Sequence, residues 1–203
     1  MCHILIGLFT FYFAQNCILL GAQSITSGGS LILNQAFPRS LLPLSSAISA
    51  AKQFLPTIPI YVLIVLGGKL FLDDDSLPGL SLNYLLLPIL FLLLVITSFG
   101  LSLLFATLNV YFRDTTKLLS YIMRIWLYAS PVLWQPDMLS SSYRIILYLN
   151  PLGPILSANS RIWIDGQMPT LAQLIGCISW ALIAFLMGSY FFISRERDFA
   201  VRI

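Results

Sequence analysis

Few residues in this 203-residue chain could do chemistry, and most of those are charges caught between apolar runs. Arg113, Asp114 and Lys117 follow one long charge-free run and precede another apolar stretch. A central Arg or Asp costs roughly 2.5–3.5 kcal/mol on an insertion scale, so the pair fits an aqueous turn between two helices better than hydrocarbon. Thr115 or Thr116 would cap the departing helix there, and Asp114 would complement its positive end. Asp73, Asp74 and Asp75 offer adjacent carboxylates. A calcium loop needs ligands at fixed spacing, which this cluster lacks, so a solvated loop is the better reading. His3 is the only histidine, which removes a Ser-His-Asp triad, Cys-His catalysis and any multi-histidine metal site. Cys2, Cys17 and Cys177 are far apart, in or beside apolar runs, and read as small buried hydrophobes. No Gly-rich loop ends in Gly-Lys-Ser/Thr, so the chain carries no ATP-hydrolysing loop of its own. These residues define no catalytic set, metal site or bound cofactor.

The rest of the composition explains where such residues must sit. The chain is 58% hydrophobic and 9% charged, with a mean hydropathy of +0.88. Soluble domains carry about 25% charged residues. So few charges could not cover a water-facing surface, and the chain reads as an all-α integral membrane protein forming one domain over 1–203. A scattered net charge of +3 leaves no nucleic-acid footprint.

Apolar runs supply the spans. Ile4 to Ser24 is charge-free and long enough for about 30 Å of hydrocarbon. It lacks a basic leader and exceeds the usual apolar core of a signal peptide, so a spanning helix is expected. Gln15 and Asn16 near its middle should face neighbouring helices. Gly28-Gly29 should end it, and Leu41 should open a new helix that Pro56 and Pro59 bend on entering a second span, Phe54 to Leu72. Leu80 to Phe112 is a long third span whose second half carries Ser98, Gly100, Ser102, Ala106 and Thr107, small enough for close packing. Leu118 to Trp134 is a shorter fourth, with Arg124 either facing the interior or snorkelling. Leu171 to Ile193 is the last. Between them, Ile145–Leu149 and Ile155–Ser160 are too short to cross and flank Asn150-Pro151-Leu152-Gly153-Pro154. Re-entrant or interfacial helices are expected there, because broken backbone at membrane depth must be buried in protein or line a cavity.

Alternating five spans gathers Arg39, Lys52, Arg113, Lys117, Arg195, Arg197 and Arg202 on one side, against Lys69, Arg144 and Arg161 on the other. The richer side is cytoplasmic by the positive-inside rule, with Met1 outside and Ile203 inside. Aromatic residues gather towards the external half: Trp126, Tyr128, Trp134, Tyr143, Tyr148 and Trp163. An interfacial belt suits Trp134, Tyr143 and Trp163, whereas Trp126 and Tyr128 lie deeper and are candidates for a substrate path.

Five blocks resemble the membrane-spanning subunit of type-2 ABC exporters of polysaccharides and polyol phosphates, which handle O-antigen, capsule and teichoic-acid precursors. Phe37-Pro38-Arg39 with Leu41-Leu42-Pro43-Leu44 is similar to the family's cytoplasmic segment before its third helix. Asn109 to Asp114 resembles the turn between its fourth and fifth helices, and Ser130-Pro131-Val132 the end of the fifth. Asn150-Pro151-Leu152, with Arg161 following, resembles the short external helices before the last span. Arg195 to Ala200 resembles the tail. Family members usually carry an amphipathic helix and a further span before the equivalent of Ile4, which leads to the expectation that this chain lacks both. The resemblance implies a homodimer in the bacterial cytoplasmic (inner) membrane, an ATP-binding cassette partner that uses the ATP, and a lipid-linked glycan as cargo. It also makes Phe37, Pro38, Arg39, Arg113 and Asp114 candidates for coupling to the ATPase, although Arg113 and Asp114 serve equally as a plain hairpin cap and anchor. A secondary transporter or channel fragment is the rival reading, as is a scaffold or inactive remnant. Ion coupling would favour a mid-membrane acidic residue, and the apolar runs contain none.

Overall fold

The computed structural model describes residues 2–29, 31, 37–63, 82–134 and 145–202. The expected second span runs beyond 63, and with Lys69, the Asp73–Asp75 cluster, Tyr143 and Arg144 it lies mostly or wholly outside those residues.

Helices make up the architecture, with no strand among the described residues. In chain order they are α1 (Cys2–Ser27), α2 (Leu41–Phe54), α3 (Leu87–Tyr111), α4 (Thr115–Ala129), α5 (Ile145–Leu149), α6 (Gly153–Asp165), α7 (Leu171–Arg195) and α8 (Phe199–Arg202). A 3₁₀ turn, Leu82–Leu86, leads into α3, and another, Glu196–Asp198, joins α7 to α8. Three helical stretches among the described residues are long and apolar enough to cross a membrane: His3–Ser27, Leu82–Tyr111 and Leu171–Asp198. They coincide with the expected first, third and last spans. α1 ends beside Gly28-Gly29 as expected, and α2 breaks at Leu55-Pro56 before helical backbone resumes over 57–63. Proline lacks the N–H that would continue the ladder.

Small residues decide how the long helices meet. α3 and α7 cross where Gly100 and Gly188 face each other, so close that a Cβ on Gly188 would fall on the Gly100 carbonyl oxygen. A Cβ on Gly100 would strike the backbone of Ala184 and Phe185. Gly21 of α1 plays the same part against Ser102 of α3. Lipid supplies no hydrophobic drive between helices, so close backbone approach and the dispersion contacts it allows hold such a bundle together.

The short helices fill the opposite end from the basic segments. α6 is longer than its apolar run suggested, and its face from Gly153 to Ala158 is buried along with Ser160, Ile162 and Trp163. Three of its polar residues find partners on neighbouring helices. Gln173 of α7 donates to Ser157 at 2.6 Å, His3 of α1 meets Ser160 at 2.6 Å, and Asn159 donates to Thr10 at 2.8 Å. The expected re-entrant region is therefore broken backbone packed into the bundle, with Gly166 at φ 61° closing α6. Trp163, expected in an interfacial belt, is instead 7% exposed, with Tyr61 and Tyr84 rings each 5.3 Å away. Cys17 and Cys177 are buried free thiols, as read from their surroundings.

Candidate functional site

Two regions combine polar chemistry with access: the end where the basic segments meet, and the outer faces of α1 and α4.

At the basic end, segments distant in sequence are tied together. The Arg39 guanidinium donates to the Glu196 carbonyl, while the Arg39 backbone N–H donates to Glu196 Oε1 at 3.1 Å. Phe37 packs against the buried cluster of Ile25, Leu103, Ala106, Val110, Phe192 and Phe199, whose members come from α1, α3, α7 and α8. Tyr111 donates to Asp198 Oδ2 at 2.9 Å, and the Arg202 guanidinium lies 4.4 Å from the Tyr111 ring centre. Such stacking favours the cation through the ring quadrupole. The Phe37-Pro38-Arg39 block is thus clamped to the C-terminal segment. Sequence reading placed both on one side but held no signal that Glu196 was the partner of Arg39.

The turn between α3 and α4 differs in detail from expectation. Asp114, not Thr115 or Thr116, stands at the N-cap of α4, and its side chain caps no backbone N–H. Asp114 instead meets Lys117 at 3.3 Å on the surface. Thr115 is the first residue of the helix, and its hydroxyl and backbone N–H both donate to the Phe112 carbonyl, at 2.6 and 2.9 Å. Arg113 is exposed and makes no ion pair among the described residues.

The face presented by α1 carries Tyr12, Asn16, Leu20, Gln23 and Ser27, all exposed, at the i, i+4, i+8, i+11, i+15 spacing of one helical stripe. Asn16 was expected to face a neighbouring helix; within one chain it does not, because Phe13, Ala14, Cys17 and Ile18 occupy the buried side. α4 packs beside α1 and buries only Leu119 and Met123. Its exposed surface divides in two. Leu118, Ile122 and Ile125 form an apolar strip, whereas Lys117, Tyr121, Arg124 and Tyr128 form a polar and aromatic one, with Arg124 5.8 Å from the Tyr121 ring centre. Arg124 thus neither enters the protein interior nor finds a carboxylate partner among the described residues.

The two aromatic path candidates part company. Tyr128 is 68% exposed. Trp126 is half-buried, and its indole N–H donates to Asn150 Oδ1 at 2.7 Å. Asn150 also accepts from the Leu152 N–H at 3.0 Å and donates to Ser130 at 2.9 Å, so one buried amide joins the end of α4 to the α5–α6 break at Pro151. Arg161 at the far end of α6 donates to Gln167 at 2.9 Å. Between 57–63, α3 and α6 an apolar recess of 430 Å³ is bounded by Phe54, Tyr61, Tyr84, Phe91 and Trp163. Among the described residues no three His, Cys, Asp or Glu side chains group as metal ligands.

No family model matches the chain. It is 29% identical over 164 residues to the O-antigen export system permease protein RfbA of Klebsiella pneumoniae, covering 80% of this chain and 60% of that protein. A second Klebsiella pneumoniae RfbA is 29% identical over 162 residues, with the same shares covered. The RfbA of Myxococcus xanthus is 24% identical over 200 residues, covering 98% of this chain and 74% of that protein. The chain is an all-α membrane protein, and its resemblance to the permease subunit of type-2 ABC exporters is matched by relatives that carry an O-antigen export permease name. It spans 60% of the length of the Klebsiella relatives.

Proposed function

We propose that the chain is the membrane-spanning subunit of an ATP-driven exporter that moves a lipid-linked polysaccharide or polyol phosphate polymer across the bacterial cytoplasmic membrane. The supporting observation is the polar and aromatic surface on α1 and α4, with Asn16, Gln23, Tyr121, Arg124 and Tyr128 turned outward from a single chain. An amide such as Asn16 facing hydrocarbon near the middle of α1 is costly, and a water-filled conduit between two copies removes that cost. Two copies in this arrangement make a homodimer. Rings such as Tyr128 offer faces on which the C–H surfaces of sugar rings stack, and the Trp126–Asn150–Pro151 junction with Arg161 shapes the external end.

Energy comes from a separate ATP-binding subunit on the cytoplasmic side, where the basic residues gather and Ile203 lies. The Phe37-Pro38-Arg39 block and the Arg113-Asp114 turn are its docking points. Arg39 carries motion onward through Glu196 to the end of α7. This chain binds no cofactor and performs no catalysis.

The reading is tested by co-expressing a tagged chain with a candidate ATP-binding cassette protein from the same genome and measuring co-purification and ATP hydrolysis. Recovery of a stable complex, lost in the Arg39→Ala, Asp114→Ala double variant, is expected. A chain that purifies without any ATP-binding protein would contradict it.

A further inference from the structure

A polar cleft of 450 Å³ opens at the basic end between the last turn of α1, the end of α3, the start of α4 and α8. Thr26, Ser27, Asn109, Arg113, Thr116 and Arg202 line it, and no carboxylate does among the described residues. Neither Arg113 nor Arg202 has an ion-pair partner among the described residues, because Asp114 is engaged by Lys117, and Asp198 by Tyr111 with Arg195 3.9 Å away. Two guanidinium groups on one cleft without a counter-charge select a phosphate-type anion, which their fork of N–H donors matches. A second observation is independent of charge. Asn109 is 3% exposed and lines the cleft; its amide nitrogen donates to Thr26 at 3.1 Å, while its Oδ1 is buried with no donor among the described residues. Thr26 cannot serve that oxygen, because its hydroxyl already donates to Gln23 at 3.0 Å. A buried acceptor left unmatched is costly, so the cleft calls for a ligand that brings a hydroxyl as well as an anion.

We propose that this cleft binds a phosphate-bearing lipid head group with an adjacent hydroxyl, its phosphate between Arg113 and Arg202 and its hydroxyl donating to Asn109 Oδ1. Bilayer glycerophosphate lipids and glycosylated isoprenyl phosphates share this chemistry. Location suits a lipid: the cleft sits at the ends of two membrane-spanning helices, on the face where basic pockets meet anionic head groups. The uncapped N-terminus of α4, with Thr116 in its first turn, adds partial positive charge. The inference rests on the membrane reading alone, so it stands or falls separately from export.

Native mass spectrometry of the purified full chain in detergent tests it. Added phosphatidylglycerol should be retained over phosphatidylethanolamine, and over phosphatidylmethanol, which has the same charge but no head-group hydroxyl. Arg113→Gln with Arg202→Gln should lower phosphatidylglycerol retention about tenfold or more, a charge-assisted contact being lost at each position. Arg197→Gln, outside the cleft, should leave it unchanged. A glycosylated isoprenyl phosphate that displaces phosphatidylglycerol at equal concentration assigns the site to a glycan carrier; failure to displace it assigns the site to the bilayer. Retention unaffected by the double variant would overturn the proposal, as would equal loss in Arg197→Gln. Displacement by inorganic phosphate as effective as by either lipid would also overturn it. So would unchanged lipid retention in a double variant that no longer co-purifies an ATP-binding partner, since the cleft would then hold that partner's acidic side chain. Equal retention of phosphatidylmethanol would overturn the role given to Asn109.

Discussion

Trp126 on α4 and Asn150 at the α5–α6 break are joined by a 2.7 Å hydrogen bond, and this contact decides what Trp126 is for. An indole N–H held by a buried amide positions the α5–α6 hairpin, and only the ring's remaining surface is free for other contacts. Trp126→Phe keeps the ring and removes the donor. Hydrogen bonds between helices in membranes average about 0.6 kcal/mol and reach about 1.7, so a loss of about 1 kcal/mol is expected. Asn150→Leu, which removes three partners, should cost more. Thermal unfolding in detergent measures both, and identical melting for wild type and Asn150→Leu would deny the amide its joining role.

Gly100 and Gly188 set the second expectation. Gly188→Leu cannot be accommodated without separating α3 from α7, and overpacking of this kind costs about 1–3 kcal/mol or more. Reduced membrane abundance and a lowered melting temperature should follow. Gly176→Ala is the milder comparison, because its added Cβ would meet the movable ring of Pro154 at 2.9 Å rather than backbone. Equal effects of the two substitutions would remove the special status of the α3–α7 crossing.

The Arg39–Glu196 clamp should govern exposure of the tail. Arg39→Ala removes the guanidinium contact and leaves the 3₁₀ turn Glu196–Asp198 held by the residue-39 backbone N–H, Tyr111 and the Phe199 packing. Trypsin cleavage at Arg195 or Arg197 in inverted membrane vesicles should then quicken several-fold, while Lys52→Ala, on an exposed site of α2, should leave it unchanged. Unchanged cleavage in Arg39→Ala would show that the clamp does not hold the tail.

What could be read from sequence divides along physical lines. Charge-free runs such as Leu87 to Tyr111 have one stable state in a membrane, so α1, α3 and α7 were legible from composition. The break at Leu55-Pro56 was legible because proline acts locally. Contacts between distant residues were not. His3 to Ser160 and Arg39 to Glu196 each join residues 157 apart, and neither leaves a periodic trace. α6 outran its apolar core because Ser157 and Ser160 have partners on α7 and α1, which no local pattern encodes. Asn16 shows the opposite failure. The preference of buried amides for helix neighbours is sound, yet α1 packs through the opposite face, and the amide is left outside.

The outward face of α1 and α4 should be reachable from water. Single cysteines placed at Asn16 and Tyr128, in a chain whose native cysteines are buried or replaced, should react with a membrane-impermeant maleimide once the pores of the outer envelope admit it. A cysteine at Ile125, on the apolar strip of α4, should not. Equal labelling at all three positions would deny a wet conduit along α4.

The most direct measurement is glycan at the cell surface in a strain lacking its own exporter permease, complemented by this chain together with a candidate ATP-binding subunit. Surface polymer should return with the wild-type chain and fall about tenfold or more with Asn16→Leu plus Tyr128→Ala at equal protein abundance, the loss of about 1.4 kcal/mol or more on the transport path. Undiminished surface glycan with that double variant, or none with the wild-type chain and partner both present in the membrane, would contradict a polymer path along α1 and α4.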